Sequence, residues 1–202
     1  MKLEIHPLYK RLMLVVMVVG PFWWLVFTVD GQRRTDLLIL EYLNGEASLN
    51  LALHQVTGAT TLADLRGNFP DLDLQCERRA TSFGDRLCAA RIGAFNQTPA
   101  HIATFYWAGS QLTAVQAVYR GRYHEHMTSR ISYDLGAPEQ LAAETADDTP
   151  LLRWQTEYGA VITPASVPKS MKQPSVFWIE RGRVNPNAVP APSSPPSDGP
   201  AI

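Results

Sequence analysis

The sequence predicts an α+β protein: a single N-terminal transmembrane helix, then a small, mainly antiparallel β-sheet domain with one or two packed helices, then a disordered Pro-rich tail. Three observations carry that expectation. Residues 12–29, LMLVVMVVGPFWWLVFTV, run for eighteen positions without an ionisable group. Residues 102–119 hold two β-branched and aromatic runs around Gly109-Ser110. From Tyr123 onward the apolar period changes to four, through Met127, Ile131 and Leu135.

At about 1.5 Å per residue the N-terminal run spans roughly 27 Å, close to the bilayer hydrocarbon thickness of about 30 Å. Trp23 and Trp24 suit a membrane interface, and a break at Pro21 is tolerated in a membrane helix. The competing reading is a cleaved signal peptide, with Val29 and Gly31 at the small-residue positions of a cleavage site. The run exceeds the usual signal core of about 7–15 residues, which favours an uncleaved anchor. Lys2, Lys10 and Arg11 precede the run and Arg33 and Arg34 follow it, while Asp30 and Asp36 count little in the positive-inside rule. The expected organisation is therefore a cytoplasmic N-terminus over 1–11, a transmembrane helix over 12–29, an extracytoplasmic domain over 30–183 and the tail over 184–202.

Beyond the run, Asn44-Gly45 punctuates an apolar segment as a turn pair. Residues 47–56 suit either a strand or a short helix. Thr61, three residues before Asp64, is an N-cap pattern for a short helix with Gly67 near its end. The Gly-first loop at Gly109-Ser110 suits a type II′ hairpin that pairs Trp107 with Leu112 and Phe105 with Ala114. The helix from Tyr123 stops at Gly136 and Pro138. An acidic, Ala-rich connector leads to Asp148. LLRWQTEYGAVIT, folding back at Tyr158-Gly159, and SVFWIERG read as further strands. The last nineteen residues carry six prolines and one charge, Asp198, a composition that cannot bury a core.

The two cysteines, Cys76 and Cys88, flank CERRATSFGDRLC. Two thiols without C-x-x-C spacing lack the ligand set for structural zinc and the geometry of a thioredoxin-like pair. They suit a disulfide across a hairpin, which persists in an oxidising compartment and so agrees with the topology above. The alternative is a pair of reduced, buried thiols facing the cytosol. His124 and His126 invite a metal reading, but on a helix residues two apart point in different directions, so both are expected to be exposed. Nucleophile elbows, catalytic-cysteine signatures and Gly-rich phosphate loops are absent from the sequence.

From residue 30 the chain holds 15 Lys or Arg and 18 Asp or Glu, a formal charge of −3. That balance offers no concentrated cationic face for nucleic acid. Between residues 66 and 130 every basic residue is arginine: Arg66, Arg78, Arg79, Arg86, Arg91, Arg120, Arg122 and Arg130. Arg78, Arg79 and Arg86, beside the cysteines, form a candidate surface for an anionic partner. The competing reading is an arginine-rich composition interleaved with Asp71, Asp73, Glu77, Asp85 and Glu125. The NQT sequon at Asn96 matters only in a eukaryotic secretory pathway.

The expected function is a membrane-anchored, extracytoplasmic interaction domain, an accessory subunit of a membrane or envelope complex. Its expected partners are the bilayer, through 12–29, and a membrane or envelope protein, with no cofactor, no metal and no nucleic acid. The alternative is a tethered hydrolase or metal-dependent enzyme using His101, His124 or His126. A sensor ectodomain is a third reading, limited by a cytoplasmic segment too short for an output domain.

Overall fold

The computed structural model describes residues 7–142, 149–168 and 173–183; the Pro-rich tail and most of the acidic connector lie outside them. The chain opens with helix α1, Pro7–Phe27, which is long and apolar enough to cross a membrane. Thr28 ends it and starts helix α2, Val29–Leu38. The Thr28 hydroxyl donates to the Trp24 carbonyl (2.7 Å) and accepts from the Gly31 amide (3.0 Å), closing one helix and capping the next. The bend is sharp because residue 31 is glycine: a Cβ there would lie 2.3 Å from the Trp24 carbonyl oxygen. A single π-helical turn, Ile39–Leu43, continues α2 and stops at Asn44, before Gly45 at φ +64°.

Two-residue strand β1, Ser48–Leu49, resolves the ambiguity over 47–56; the rest of that stretch is loop. Helix α3, Leu62–Asn68, begins at the expected capping box, with Thr61 and Asp64 bonding each other's backbone amides. Strands β2, Gln75–Arg78, and β3, Arg86–Arg91, form a hairpin in which Cys76 faces Cys88 and is joined to it by a disulfide, Cα to Cα 4.0 Å. Short strand β4, Ala94–Phe95, pairs with β1 in parallel and turns back at Asn96-Gln97 into β5, Thr98–Ala108.

Strand β6, Gln111–Tyr119, completes the expected hairpin around Gly109 at φ +62°. Trp107 faces Leu112 as expected, but Phe105 faces Val115 instead of Ala114. The reason is a bulge: Thr113 stands unpaired, its hydroxyl directed at the carbonyls of Phe83 (2.5 Å) and Tyr106 (3.0 Å). After helix α4, His124–Leu135, come β7, Glu139–Leu141, β8, Leu151–Gln155, β9, Gly159–Pro164, and β10, Ser175–Glu180. The main sheet runs β2-β3-β5-β6-β10-β9-β8-β7, antiparallel at every pairing, with β1 and β4 appended beside β5.

Strand alternation divides the residues between two faces. One face, carrying Phe105, Trp107, Tyr119, Trp154 and Trp178, is closed by Met127 and Ile131 of α4 and by Leu49, Leu53 and Leu65 of the preceding loops. The indoles at its borders are satisfied by backbone: Trp107 donates to the Thr60 carbonyl (3.3 Å) and Trp154 to the Gly136 carbonyl (3.0 Å). The opposite face holds a smaller cluster of Tyr106, Ala114, Ile162, Phe177 and Ile179, over which Phe83 folds from the β2–β3 turn.

The disulfide closes a loop of about thirteen residues at the sheet edge, which stabilises by roughly 3 kcal/mol in the chain-entropy account. Cys76→Ala with Cys88→Ala should therefore lower the unfolding free energy by about that amount, and reductant should do the same to the native chain while leaving the double variant unchanged. Denaturant titration with and without reductant measures both.

Candidate functional site

Chemistry concentrates where α2 meets the sheet domain. The Asp36 side chain is 17% exposed, and its Oδ2 accepts from Arg120 Nη1 (2.7 Å), from Arg122 and from the Tyr123 hydroxyl (2.9 Å). Burial, then the bond and charge of Asp36, push the Tyr123 phenol up to about 12, so it remains a donor throughout the physiological range. One turn earlier, Arg33 reaches the Gln97 carbonyl (2.9 Å) and the Asp30 carboxylate (2.6 Å), while Arg34 bonds the second Asp30 oxygen (3.0 Å). The Arg33 and Arg34 bonds hold the Asp30 carboxyl below the usual carboxylate range. An isolated exposed ion pair contributes about 0–1 kcal/mol, whereas hydrogen bonds to a largely buried charge contribute about 1.5–3 kcal/mol. Asp36 is therefore the stronger tie.

These residues were not singled out as a site by the sequence. Asp36 entered only as a charge of little weight in topology, and Arg120 and Arg122 as members of an arginine-rich stretch. The available signal was weak: an acidic residue just past an apolar run and an R-G-R-Y tetrad more than eighty positions later.

The histidines do not converge. His124, expected to be exposed, is buried; its Nδ1 lies 2.7 Å from the Tyr119 hydroxyl, which also meets Thr163 (3.1 Å). Burial pushes the Tyr119 phenol up and the His124 imidazole down. His126 points elsewhere, 3.1 Å from the Thr98 hydroxyl, and is lowered by burial and then by the charge of Arg33. His101 sits on β5 and is lowered by burial and then by Arg120. Among the described residues no three His, Cys, Asp or Glu side chains gather as a metal site.

The arginines divide as well. Arg78 and Arg86 face each other across the β2–β3 ladder, but Arg86 is half-buried, its guanidinium 5.4 Å from the Trp107 ring centre. Arg130 pairs with Asp134 (3.3 Å). Arg78 and Arg79 remain exposed, and the Arg79–Glu77 pair at 3.7 Å is open to water and weak.

A cleft of about 340 Å³ lies between α4 and the loop after β1, lined by Leu51, Leu53, His54, Met127, Ile131 and Leu135 among others. Its wall depends on Asn96, whose amide donates to the Leu51 carbonyl (2.9 Å) and accepts from the Leu51 amide (2.7 Å). Asn96 and Gln97 take φ of 46° and 63°, the left-handed pair of a tight hairpin turn. The sequon asparagine thus has its side-chain nitrogen committed to the fold. No family model, no curated protein and no solved structure matches this chain.

Two outcomes test this arrangement. Asp36→Ala leaves two arginines and a buried phenol without their acceptor and should cost about 2–3 kcal/mol of domain stability in denaturant titration, with Asp36→Asn losing less. The second concerns pH. His101, His124 and His126 all lie below 6.5 in the folded domain. The unfolded chain regains that ordinary value, so below 6.5 it takes up protons that the fold excludes, and stability drops as the pH falls. The unfolding free energy from denaturant titration should change little just above that pH and decline below it, by at most about 1.4 kcal/mol per pH unit for each histidine. His124→Phe should flatten part of the decline.

Proposed function

We propose that this chain is a single-pass membrane protein whose domain lies on the oxidising side of the membrane and acts by binding a membrane or envelope protein, as an accessory subunit. The observation that carries the reading is the form of the junction. None of the apolar window of α1, Tyr9–Phe27, is buried, and the helix passes through a capped bend directly into a helix bonded to a disulfide-closed domain. An apolar helix left bare along its length requires an apolar surrounding. The cation balance around it favours a cytoplasmic N-terminus, and the disulfide favours an oxidising compartment for the domain. Retention of the helix is supported by the bend: cleavage near Val29 and Gly31 would cut inside the Thr28 cap. Arg78 and Arg79, exposed beside the disulfide, are the surface assigned to the partner.

Purification from gently solubilised membranes tests this. The expected result is a stoichiometric membrane or envelope partner, weakened by Arg78→Glu with Arg79→Glu. A full-length chain that emerges alone under every mild detergent overturns the subunit reading. Cys76 and Cys88 found reduced and open to a cytoplasmic thiol reagent overturn the orientation.

A further inference from the structure

The junction helix has two differently built faces. Arg33, Asp36 and Leu40, spaced three and four residues apart, point into the domain: Arg33 and Asp36 bond to it and Leu40 is buried. Gly31, Leu38 and Tyr42, spaced seven and four apart, share the opposite face. Gly31 marks what lies there, since its Cα hydrogen abuts the backbone of Trp24 and Leu25 at the end of α1. Trp24 and Leu25, 41% and 37% exposed, are the least open of the described large apolar side chains on α1. Helix α2 therefore crosses the end of α1 instead of running along it. The domain lies on one side of α2 and α1 departs from the other. Leu38 and Tyr42, 56% and 76% exposed, lie on the side from which α1 departs, flanked by exposed Ile39 and Leu43.

We propose that α2 and its π turn form a second membrane contact, an interfacial element that lays Leu38, Tyr42 and their neighbours onto the lipid surface and seats the domain against the bilayer. The inference rests on the membrane-anchor reading of α1. With α1 across the hydrocarbon, the bend at Thr28 falls at its boundary, and a helix crossing there lies near the membrane plane, apolar stripe toward the lipid. Tyr42 suits that depth, as do Trp23 and Trp24. Arg34, its guanidinium 5.7 Å from the Trp24 ring centre, is placed at the level of anionic headgroups. Of the acidic groups on this element, Asp30 is bonded to Arg33 and Arg34, Asp36 faces the domain and bonds Arg120 and Arg122, and exposed Glu41 lies at the edge of the stripe, where its carboxylate can stay in water.

The full chain, reconstituted in phosphatidylcholine–phosphatidylglycerol vesicles, tests the proposal with an environment-sensitive fluorophore on one introduced cysteine at a time. The native cysteines stay in their disulfide. The sites are Leu38→Cys, Tyr42→Cys, Val16→Cys inside α1 and Ser110→Cys, exposed in the Gly109 turn at the opposite end of β5 from Gln97, where Arg33 binds. Labels at 38 and 42 should be quenched by a lipid-borne quencher and spared by aqueous iodide; the label at 110 should show the reverse. If 38 and 42 behave like 110 while 16 is quenched from the lipid, the anchor stands and the second contact is overturned. If 16 is quenched by iodide, the anchor reading itself fails. If 38 and 42 are shielded from both quenchers, a protein or a second copy covers the stripe and the lipid proposal is again overturned.

Discussion

The Asp36 carboxylate draws Arg120, Arg122 and Tyr123 from a segment 84 to 87 residues further along the chain, and the geometry of the molecule depends on that convergence. Without it α2 is a ten-residue, mostly polar helix with no apolar face of its own wide enough to hold it to a sheet. The donors stand at the exit of β6, the strand paired to both β5 and β10. A single largely buried acceptor thus ties the apolar helix to the middle of the sheet and not to its edge. Arg33, through the Gln97 carbonyl, adds a second point of attachment at the β4–β5 turn. Two points fix direction as well as distance.

The disulfide acts at the other end of the architecture. Strand β2 is the outermost strand, four residues long and exposed at every position. Such a strand buries too little to stay paired on hydrophobic grounds, and a covalent link at Cys76 substitutes for the missing core. The bond also holds the β2–β3 turn in place, from which Phe83 covers Tyr106 and Phe177.

The elements legible in the sequence were those specified by neighbours in the chain. The uncharged run, the Gly109 hairpin, the Thr61 capping box and the four-residue period of α4 each need only local chemistry, and each formed. What sequence reading missed depends on distant partners. Helix α2 has no period to betray it, since VDGQRRTD is held by a threonine cap and by ion pairs formed across the fold. The register of Phe105 depended on one threonine bulging toward a carbonyl in another hairpin. His124 is inside because the buried arc of α4 is wider than the single stripe of Met127 and Ile131, and Tyr119 supplies a polar partner beneath it. A charge at position 36 looked incidental for the same reason: its meaning lies in residues 120–123.

The capped bend at Thr28 has one more consequence. A domain joined to a helix by a flexible linker samples many orientations. Here there is no stalk between Phe27 and Val29, so the heading of the domain is set by the heading of α1. Set in a bilayer, two such bodies meet with tilt already settled and with azimuth as the main angle left to search. In that setting the helix would act as a compass bearing, and rotation of α1 about its own axis would swing Arg78 and Arg79 around with it.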